Sequence, residues 1–324
     1  MTKRPVVVAG QDLREGTLRL LEDSYRVAGW DALAEADALL AFMSDRVDSL
    51  LLDRCPRLRV IAGVLKGADN IDVDACTERG IWVTVVPHLL SAATAELAVA
   101  LVLAVARRLR EGDALVRSGE FKGWRRRLEG FTLRDAPVGV IGAGDLGRET
   151  ITALTALGAR CRYHDPGVSS IDDVPGLPLD QLLGTSRVVV VAVPLRADTI
   201  GLIGRERIAE MRSDAVLVNV GRGSTVDEAA VAEALAGNDL SAYAADVFAF
   251  EDESVAGRPG EIHPGLLAHP RSVFMPHLGT ACTDVREAIE LEAAHSIVEG
   301  LVGGRPAGAL NDLGAADAHR GAGG

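Results

Sequence analysis

The sequence predicts an α/β protein that is built from parallel βαβ units and divided into two domains. Short β-branched runs alternate with helical stretches along most of the chain, which is typical of parallel strands joined by crossover helices. The 324 residues exceed the roughly 250 to 300 at which one hydrophobic core stops growing. With 48% hydrophobic and 25% charged residues, the composition is that of a folded protein, not of a disordered chain.

The predicted strands fall into two series. The first series consists of Val6–Ala9, Leu39–Phe42, Leu58–Gly63 and Trp82–Val86. The second, more regular series consists of Val138–Ile141, Arg160–His164, Val188–Val193, Ala215–Val218, Tyr243–Val247 and Val273–Met275. The run VVVVAV at 188–193 is apolar on both alternating faces, so helices should cover both sides of that strand.

Two helices are predicted to be longer than the others, from about Ala92 to Ser118 and from about Thr283 to Val302. They flank the complete second series of strands. The chain should therefore form a discontinuous outer domain from residues 1–92 and 283–324, with a continuous inner domain, residues 93–282, inserted into it.

The charge balance and the apolar stretches exclude some classes of partner. There are 46 acidic and 34 basic residues, a net charge of −12, and an acidic protein repels the phosphates of nucleic acid. The longest apolar stretch, Leu97 to Ala106, is half the ~20 residues that a membrane-spanning helix needs, and the first residues do not resemble a signal peptide. We therefore expect a cytoplasmic protein without nucleic-acid or membrane partners.

The four cysteines lie far apart and include no CxxC pair. They are Cys55, Cys76, Cys161 and Cys282. Such spacing fits neither a zinc site nor a disulfide framework, so we expect reduced, buried thiols and no metal.

A glycine loop follows the first strand of the second series. The segment VGVIGAGDLG contains Gly142, Gly144 and Gly147 in the spacing GxGxxG, and Asp165 ends the next strand. A lone GxGxxG can be a mere helix-capping loop, but the strand before it, the helix after it and the following acid are the context of dinucleotide binding. Glycines there permit the tight turn, the approach of a diphosphate and close helix packing. Asp165 would accept hydrogen bonds from ribose hydroxyls and repel a 2′-phosphate, which favours NAD over NADP.

Three polar side chains follow the last strands of the same series and are candidates for the chemistry. Arg222 stands between two glycines and could bind an oxyanion, His277 could transfer a proton, and Glu251 could fix the imidazole tautomer. Each alone has an ordinary explanation, as a surface arginine, a capping histidine or a solvated carboxylate. Their joint occurrence after successive strands of a dinucleotide-binding domain favours a catalytic set.

Over nearly its whole length the sequence resembles the D-isomer-specific 2-hydroxyacid dehydrogenase family. The matching segments are ADNIDVDACTERGIWVT, TAELAVALVLA, VGVIGAGDLG, LVNVGRGSTVDEAAV and FMPHLGT. This resemblance implies two Rossmann-like doubly wound domains, the NAD-binding one inserted into a flavodoxin-like substrate domain. It also implies a homodimer, NAD as cofactor, and a catalytic set of Arg222, Glu251 and His277.

Within that family the sequence is most similar to the phosphite (phosphonate) dehydrogenases. AFMSDRVD, VLKGADNIDVDAC, LVRSGEFKGW, YAADVF and PGLLAHP carry this similarity. Lys66, in VLKGADN, would add a second cation for a dianion. Two positions depart from the group's pattern: Thr280 replaces a serine, and Glu129 replaces an aromatic residue.

The resemblance assigns residues to two binding roles. The expected substrate-binding residues are Lys66, Arg222, Met43, Gly67, Thr280, Arg286 and Trp124, with Asp69 beside Lys66. The expected cofactor-binding residues are Gly142, Gly144, Asp145, Leu146, Gly147, Asp165, Pro166, Thr94, Val193, Pro194, Thr199, Val220, Asp246 and Gly279.

Three functions remain open from the sequence. The first hypothesis is NAD-dependent oxidation of phosphite to phosphate. The second keeps the fold but reduces a 2-oxoacid such as glyoxylate, hydroxypyruvate or phosphonopyruvate, with His277 as proton donor. The third is a non-catalytic NAD-sensing module, which the complete Arg222, Glu251 and His277 set disfavours.

Overall fold

The computed structural model describes residues 4–314 and contains two sheets in which every strand pair is parallel. The described chain forms two compact units. Unit 1 comprises the residues up to Leu90 and those from Ala281 onward, and unit 2 comprises Ser91–Thr280. The predicted fold class, α/β with two parallel sheets, is confirmed, whereas the limits of the two domains stay a prediction.

The strands and helices alternate along the chain. The strands are β1 (Val6–Ala9), β2 (Arg26–Ala28), β3 (Ala36–Ala41), β4 (Val60–Gly63), β5 (Trp82–Thr84), β6 (Pro137–Ile141), β7 (Arg160–His164), β8 (Val188–Val191), β9 (Val216–Asn219), β10 (Ala242–Ala245) and β11 (Ser272–Phe274). The helices are α1 (Glu15–Glu22), α2 (Ser49–Leu52), α3 (Val73–Glu78), α4 (Leu90–Ala106), α5 (Leu109–Arg117), α6 (Asp145–Ala156), α7 (Leu179–Thr185), α8 (Arg205–Glu210), α9 (Glu228–Gly237), α10 (Pro264–Ala268) and α11 (Thr283–Leu301). Short 3-10 turns span Trp30–Glu35, Gly223–Thr225 and Ala249–Glu251.

The two sheets share one strand order. Unit 1 has the order β2-β1-β3-β4-β5, and unit 2 has β7-β6-β8-β9-β10 followed by β11 at the edge. In unit 2 the chain reverses direction across the sheet between β6 and β8, and open α/β sheets bind ligands at such a switch point.

Strand β8 lies in the middle of the second sheet and is completely buried. Val189 and Val191 belong to one hydrophobic core, while Val188 and Val190 belong to the core on the opposite face. The prediction that both faces of this strand are covered is therefore confirmed. The short strand β2 escaped prediction because three residues, only partly buried, leave no hydrophobic pattern.

The prediction of one long helix from Ala92 to Ser118 is wrong. Helix α4 ends at Ala106, α5 begins at Leu109, and the two axes are bent by 63°. Arg108 between them has a φ of 54°, in the left-handed region. The helix ends because the carbonyl of Ala106, which the next turn would need, accepts the N–H of Phe131 at 3.0 Å. Within residues 4–314, no single helix has the length and apolar character required to cross a membrane.

The prediction of buried cysteines is confirmed for three of the four residues and is wrong for the fourth. Cys55, Cys76 and Cys161 are buried, but Cys282 is exposed at the residue preceding α11. Burial raises the pKa of the Cys76 thiol to about 12, with the nearby Asp72 carboxylate adding to the effect. Burial likewise raises the pKa of Cys55 and Cys161, so these three thiols are poor nucleophiles.

Candidate active site

The glycine loop of unit 2 lies at the switch point, and its three glycines have different surroundings. Gly142 has a φ of 95°, and a side chain there would meet the carbonyl of Ala192 at 2.7 Å. A Cβ at Gly147 would lie 1.9 Å from the carbonyl oxygen of Gly142, so helix and loop touch. A Cβ at Gly144 would meet nothing within 4 Å. Gly142 therefore permits the tight turn, and Gly147 permits the close packing of helix against loop. Open space lies beside the middle glycine, Gly144.

Gly144 is also the N-cap of α6, and no side chain caps the helix there. The first N–H groups of a helix lack partners inside the helix and carry its positive dipole end. Open space beside such a terminus is suited to a diphosphate. The residues present thus fit the dinucleotide that the sequence predicts.

Asp165 closes the loop from the neighbouring strand. Its Oδ2 accepts the N–H of Ala143 at 2.7 Å, and its Oδ1 accepts the N–H of Gly167 at 2.8 Å. Each carboxylate oxygen has a second lone pair, so these bonds leave capacity for ribose hydroxyls. The exposed Pro166 follows immediately.

His277 and Glu251 form the ion pair that the sequence predicts. The Nδ1 of His277 lies 2.8 Å from Oε2 of Glu251, and both side chains are partly buried. Oε1 of Glu251 accepts the N–H of Phe248 at 2.7 Å, which orients the carboxylate. With Nδ1 directed at a carboxylate, Nε2 is the ring nitrogen left to exchange a proton with a substrate.

The backbone of His277 is itself strained, with a φ of 55°. Asp246 holds it there: its carbonyl accepts the N–H of His277 at 2.9 Å, and its two carboxylate oxygens accept the N–H groups of Leu278 and Gly279 at 2.7 and 2.9 Å. Burial raises the pKa of Asp246, which is 1% exposed, although the two backbone bonds and His277 oppose the rise. Asp246 therefore positions the histidine loop, while its predicted contact with the cofactor stays a prediction.

Arg222 follows β9 and is held through its backbone. Its carbonyl accepts hydrogen bonds from Asn219 Nδ2 at 2.9 Å and from Thr225 Oγ1 at 2.6 Å. Next to it, a Cβ at Gly223 would lie 1.8 Å from the carbonyl carbon of Phe248. The loop of Arg222 is therefore in direct backbone contact with the turn that carries Glu251.

Two buried carboxylates that the sequence analysis missed join these loops. Oδ2 of Asp252 accepts the N–H of Ser224 at 2.6 Å. Glu228 is 7% exposed, and its oxygens accept the N–H groups of Ala249 and His263 at 2.9 and 3.2 Å. Glu228 is the first residue of α9, where an acidic residue is common, so the sequence held no signal for its burial.

The other predicted cofactor residues of unit 2 lie in loops, in the first turn of α6 or, for Thr94, in α4. Thr199 Oγ1 accepts the N–H of Arg196 and donates to the carbonyl of Pro194, which orders the loop after β8. Thr94 lies about 3.0 Å from the position that a Cβ of Gly279 would occupy. The remaining members are Asp145 and Leu146 in the first turn of α6, Val193 after β8 and the buried Val220 after β9.

Of the predicted substrate residues, Arg222, Thr280 and Trp124 belong to unit 2. Arg222 and Thr280 follow β9 and β11, but Trp124 is 83% exposed in the segment after α5. The structure thus brings Arg222, Glu251 and His277 to one edge of the sheet. It gives Trp124 no buried surroundings.

The other predicted substrate residues lie in unit 1. Lys66 and Gly67 follow β4, and the exposed Met43 follows β3. Asn70 joins these two loops, because its Nδ2 donates to the carbonyls of Phe42 and Asp45 at 3.0 and 2.6 Å.

Arg286, also in unit 1, lies in α11. Burial lowers its pKa, and Glu290 opposes the effect. The substrate contacts of these unit 1 residues stay predictions.

Comparison with known proteins agrees with this geometry. Residues 99–279 match the model of the D-isomer specific 2-hydroxyacid dehydrogenase NAD binding domain. The chain is 36% identical to a glyoxylate reductase of Aeropyrum pernix, with 95% of this chain and 96% of that protein covered. It is 31% identical to a glyoxylate reductase of Thermococcus onnurineus, over 91% of this chain and 92% of the relative.

The solved structures show the same similarity. The crystal structure of the TT0316 protein from Thermus thermophilus has a TM-score of 0.85 and 33% identity, covering 94% of this chain and all of that one. The predictions of an NAD-dependent dehydrogenase and of NAD as cofactor are confirmed. The chain belongs to the D-isomer specific 2-hydroxyacid dehydrogenase family.

Proposed function

We propose that this dehydrogenase reduces a small 2-oxoacid of the glyoxylate type to the 2-hydroxyacid. The observation that carries the proposal is the pair of His277 and Glu251, 2.8 Å apart, on loops in contact with that of Arg222. Reduction of a carbonyl requires a proton donor and a cation for the carboxylate, and this edge of the sheet supplies both. Relatives named glyoxylate reductase support the same substrate class.

The chain's own residues have distinct tasks in this reaction. Bound NADH supplies the hydride that reaches the carbonyl carbon. His277, protonated and held through Nδ1 by Glu251, delivers its Nε2 proton to the carbonyl oxygen, and the imidazole is left neutral. Arg222 binds the carboxylate of the substrate. Asp246 keeps His277 in its left-handed backbone conformation, so the proton starts from a fixed position.

The test compares substrates and then removes the proton donor. NADH consumption should be measured with glyoxylate, hydroxypyruvate and phosphonopyruvate, beside NADH production with phosphite. His277→Asn should lower kcat with the oxoacid by roughly 100-fold to 10,000-fold, the usual contribution of general acid catalysis. His295→Asn, an exposed histidine of α11, is the matched control and should retain activity. An unchanged kcat in His277→Asn would contradict the proposal.

Phosphite oxidation is the second candidate, and Lys66 is the observation that favours it. In that reaction water adds to phosphorus, the hydride passes to NAD⁺ and a proton is released, with His277 as the candidate base for the water. Phosphite is largely dianionic near neutral pH and calls for a second cation besides Arg222, the role that the sequence resemblance assigns to Lys66. A third hypothesis, a non-catalytic NAD sensor, finds no support in a family of dehydrogenases.

Lys66→Ala separates the two candidates. For a phosphite dehydrogenase it should raise the KM for phosphite by about 10-fold to 150-fold, since one charge-assisted bond contributes roughly 1.5 to 3 kcal/mol. Added primary amines should then restore part of the activity. An enzyme that ignores phosphite and reduces glyoxylate normally after this substitution is the oxoacid reductase.

We also propose a homodimer. Large apolar side chains are exposed along α5 and the segment after it, with Leu109 at 56%, Val116 at 59%, Phe121 at 52% and Trp124 at 83%. Such a series is unusual for a surface that faces only water. Sedimentation velocity at micromolar concentration should give twice the chain mass, and a monomer would refute the dimer.

A further inference from the structure

Three arginines lie close together near the beginning of β11. His277 follows the other end of the same strand. Arg108, Arg110 and Arg271 line a small cavity, about 10 Å³ in volume, which is room for roughly one water molecule. The cavity wall includes one carboxylate, that of Glu111, together with the apolar side of α4 and Pro270. Three guanidinium groups thus meet a single carboxylate, in a chain whose net charge is −12.

The carboxylate of Glu111 is already paired with one of the arginines. Both oxygens of Glu111 accept hydrogen bonds from Arg108, at 2.8 Å from Nε and 2.5 Å from the terminal nitrogen. This ion pair lowers the pKa of Glu111, and the charges of Arg271 and Arg110 lower it further. Glu111 therefore neutralises Arg108 and leaves the other two cations in excess.

Arg110 is fixed in place. One of its terminal nitrogens donates to the carbonyls of His269 and Ser272, at 3.0 and 2.8 Å. These bonds attach α5 to the beginning of β11 and leave the remaining N–H groups of this guanidinium for another acceptor.

Arg271 provides the strongest indication of a missing anion. Among the residues that the structure describes, its partly buried guanidinium makes neither a hydrogen bond nor an ion pair. Burial lowers its pKa, the like charge of Arg108 lowers it further, and the Glu111 carboxylate opposes both effects. A cation that is partly removed from water, and whose nearest carboxylate is already paired with another arginine, is stabilised by a further counter-ion.

We propose that this arginine cluster binds a small oxyanion such as phosphate or sulfate. The cavity has room for about one oxygen, and Arg271 and Arg110, which line it, keep N–H groups that the contacts described above do not use. Guanidinium groups bind such oxyanions with paired hydrogen bonds. Because Arg271 and His277 are at opposite ends of β11, the site is separate from the candidate active site and stabilises the fold by binding only the native chain.

The test measures thermal unfolding of the full chain in increasing inorganic phosphate, with sodium chloride at equal ionic strength as reference. Phosphate should raise the Tm in a saturable manner, sulfate should act similarly, and chloride should not. Glycerol phosphate tests whether a phosphate ester is also accepted. In Arg271→Gln the apparent phosphate affinity should fall by about tenfold or more, the loss expected for one charge-assisted partner.

Two control variants locate the effect. Arg212→Gln removes an exposed arginine that pairs with Asp214, and it should keep the phosphate response. Arg222→Gln should also keep it, which excludes phosphate bound at the candidate active site as the cause. The kcat of Arg271→Gln should equal that of the unmodified chain, so the outcome is independent of the proposed reaction.

The Tm measured without phosphate distinguishes an arginine that binds an anion from an arginine that only stabilises the fold. Arg271→Gln should melt at about the same temperature as the unmodified chain, because the substitution removes both the repulsion from Arg108 and the attraction of Glu111. A lower Tm together with an unchanged phosphate response would overturn the proposal. Dissociation of the dimer in Arg271→Gln, together with no effect of phosphate on the Tm, would also overturn the proposal. The counter-ion would in that case be a carboxylate of a second copy of the chain.

Discussion

In each sheet the first strand is followed by a glycine and then by a helix. A side chain of the protein itself occupies the N-terminus of only one of these two helices. In unit 1 the N-terminus of α1 meets the carboxylate of Glu290, which accepts the N–H and the Nε–H of Arg14, both at 3.1 Å. In unit 2 the N-terminus of α6 begins at Gly144, and a Cβ there would meet nothing within 4 Å. One unit supplies its own anion, and the other leaves space for the anion of a ligand.

The glycines before the two helices differ in the same way. A Cβ at Gly10, after β1, would lie 2.4 Å from Nε1 of Trp30, so an indole fills the space beside that loop. The shared strand order therefore does not by itself make a nucleotide site. What makes one is the unfilled space in front of a helix N-terminus.

The largest expected effect comes from filling that space in unit 2. Gly144→Val should weaken NADH binding about 100-fold or more, by displacing a diphosphate held by several backbone N–H groups. The Tm should stay within a few degrees, because the extended backbone of Gly144 tolerates a side chain. Fluorescence titration with NADH and thermal unfolding measure the two quantities.

Gly10→Ala is the matched control for this change. It forces a methyl group against Trp30 and should destabilise the chain by roughly 1 to 3 kcal/mol while NADH binding is retained. Equal NADH binding by Gly144→Val and the unmodified chain would remove the basis of the comparison.

The next effect concerns the internal anion of unit 1. Glu290→Gln removes a carboxylate that is only 4% exposed and leaves Arg14 without its charged partner. We expect a loss of about 1 to 3 kcal/mol in the free energy of unfolding, measured by denaturant titration. Glu287→Gln, an exposed neighbour on α11, should change it by less than ~0.5 kcal/mol. Equal losses in the two variants would show that Glu290 has no special role.

A smaller effect is expected for cofactor choice. Asp165→Ala should raise the KM for NADH and narrow the ratio of NADH to NADPH use, since the carboxylate that repels a 2′-phosphate is gone. It also removes the bonds to Ala143 and Gly167, so Asp165→Asn should be measured beside it. A parent enzyme that already uses NADPH equally well would show that Asp165 does not select the cofactor.

The smallest effect is a pH dependence of stability. Burial raises the pKa of Asp246, so the folded chain holds this proton more tightly than the unfolded one. Its contribution to stability is therefore full below the unfolded pKa of about 3.9 and is lost as the pH rises through the raised value. The Tm of the parent relative to Asp246→Asn should fall across that range. A difference in Tm that is independent of pH would contradict the shift.

Much of the fold and of the site was predictable because its signals are local. The strand ends at Arg222, Glu251 and His277 can be read from short segments, since parallel strands bring their carboxyl ends to one edge. The break at Arg108 was not predictable in this way. It depends on the N–H of Phe131, which lies 25 positions beyond the carbonyl it binds at Ala106.

The sequence by itself determined the α/β class, the glycine loop and the three polar residues after β9, β10 and β11, because hydrophobic periodicity and turn residues act over a few positions. Only the tertiary structure decided which helix N-terminus is filled and which carboxylates hold the catalytic loops. The Glu290 that meets α1 is 276 residues away from Arg14. Such pairings arise when distant segments pack, and no pattern of neighbouring residues records them.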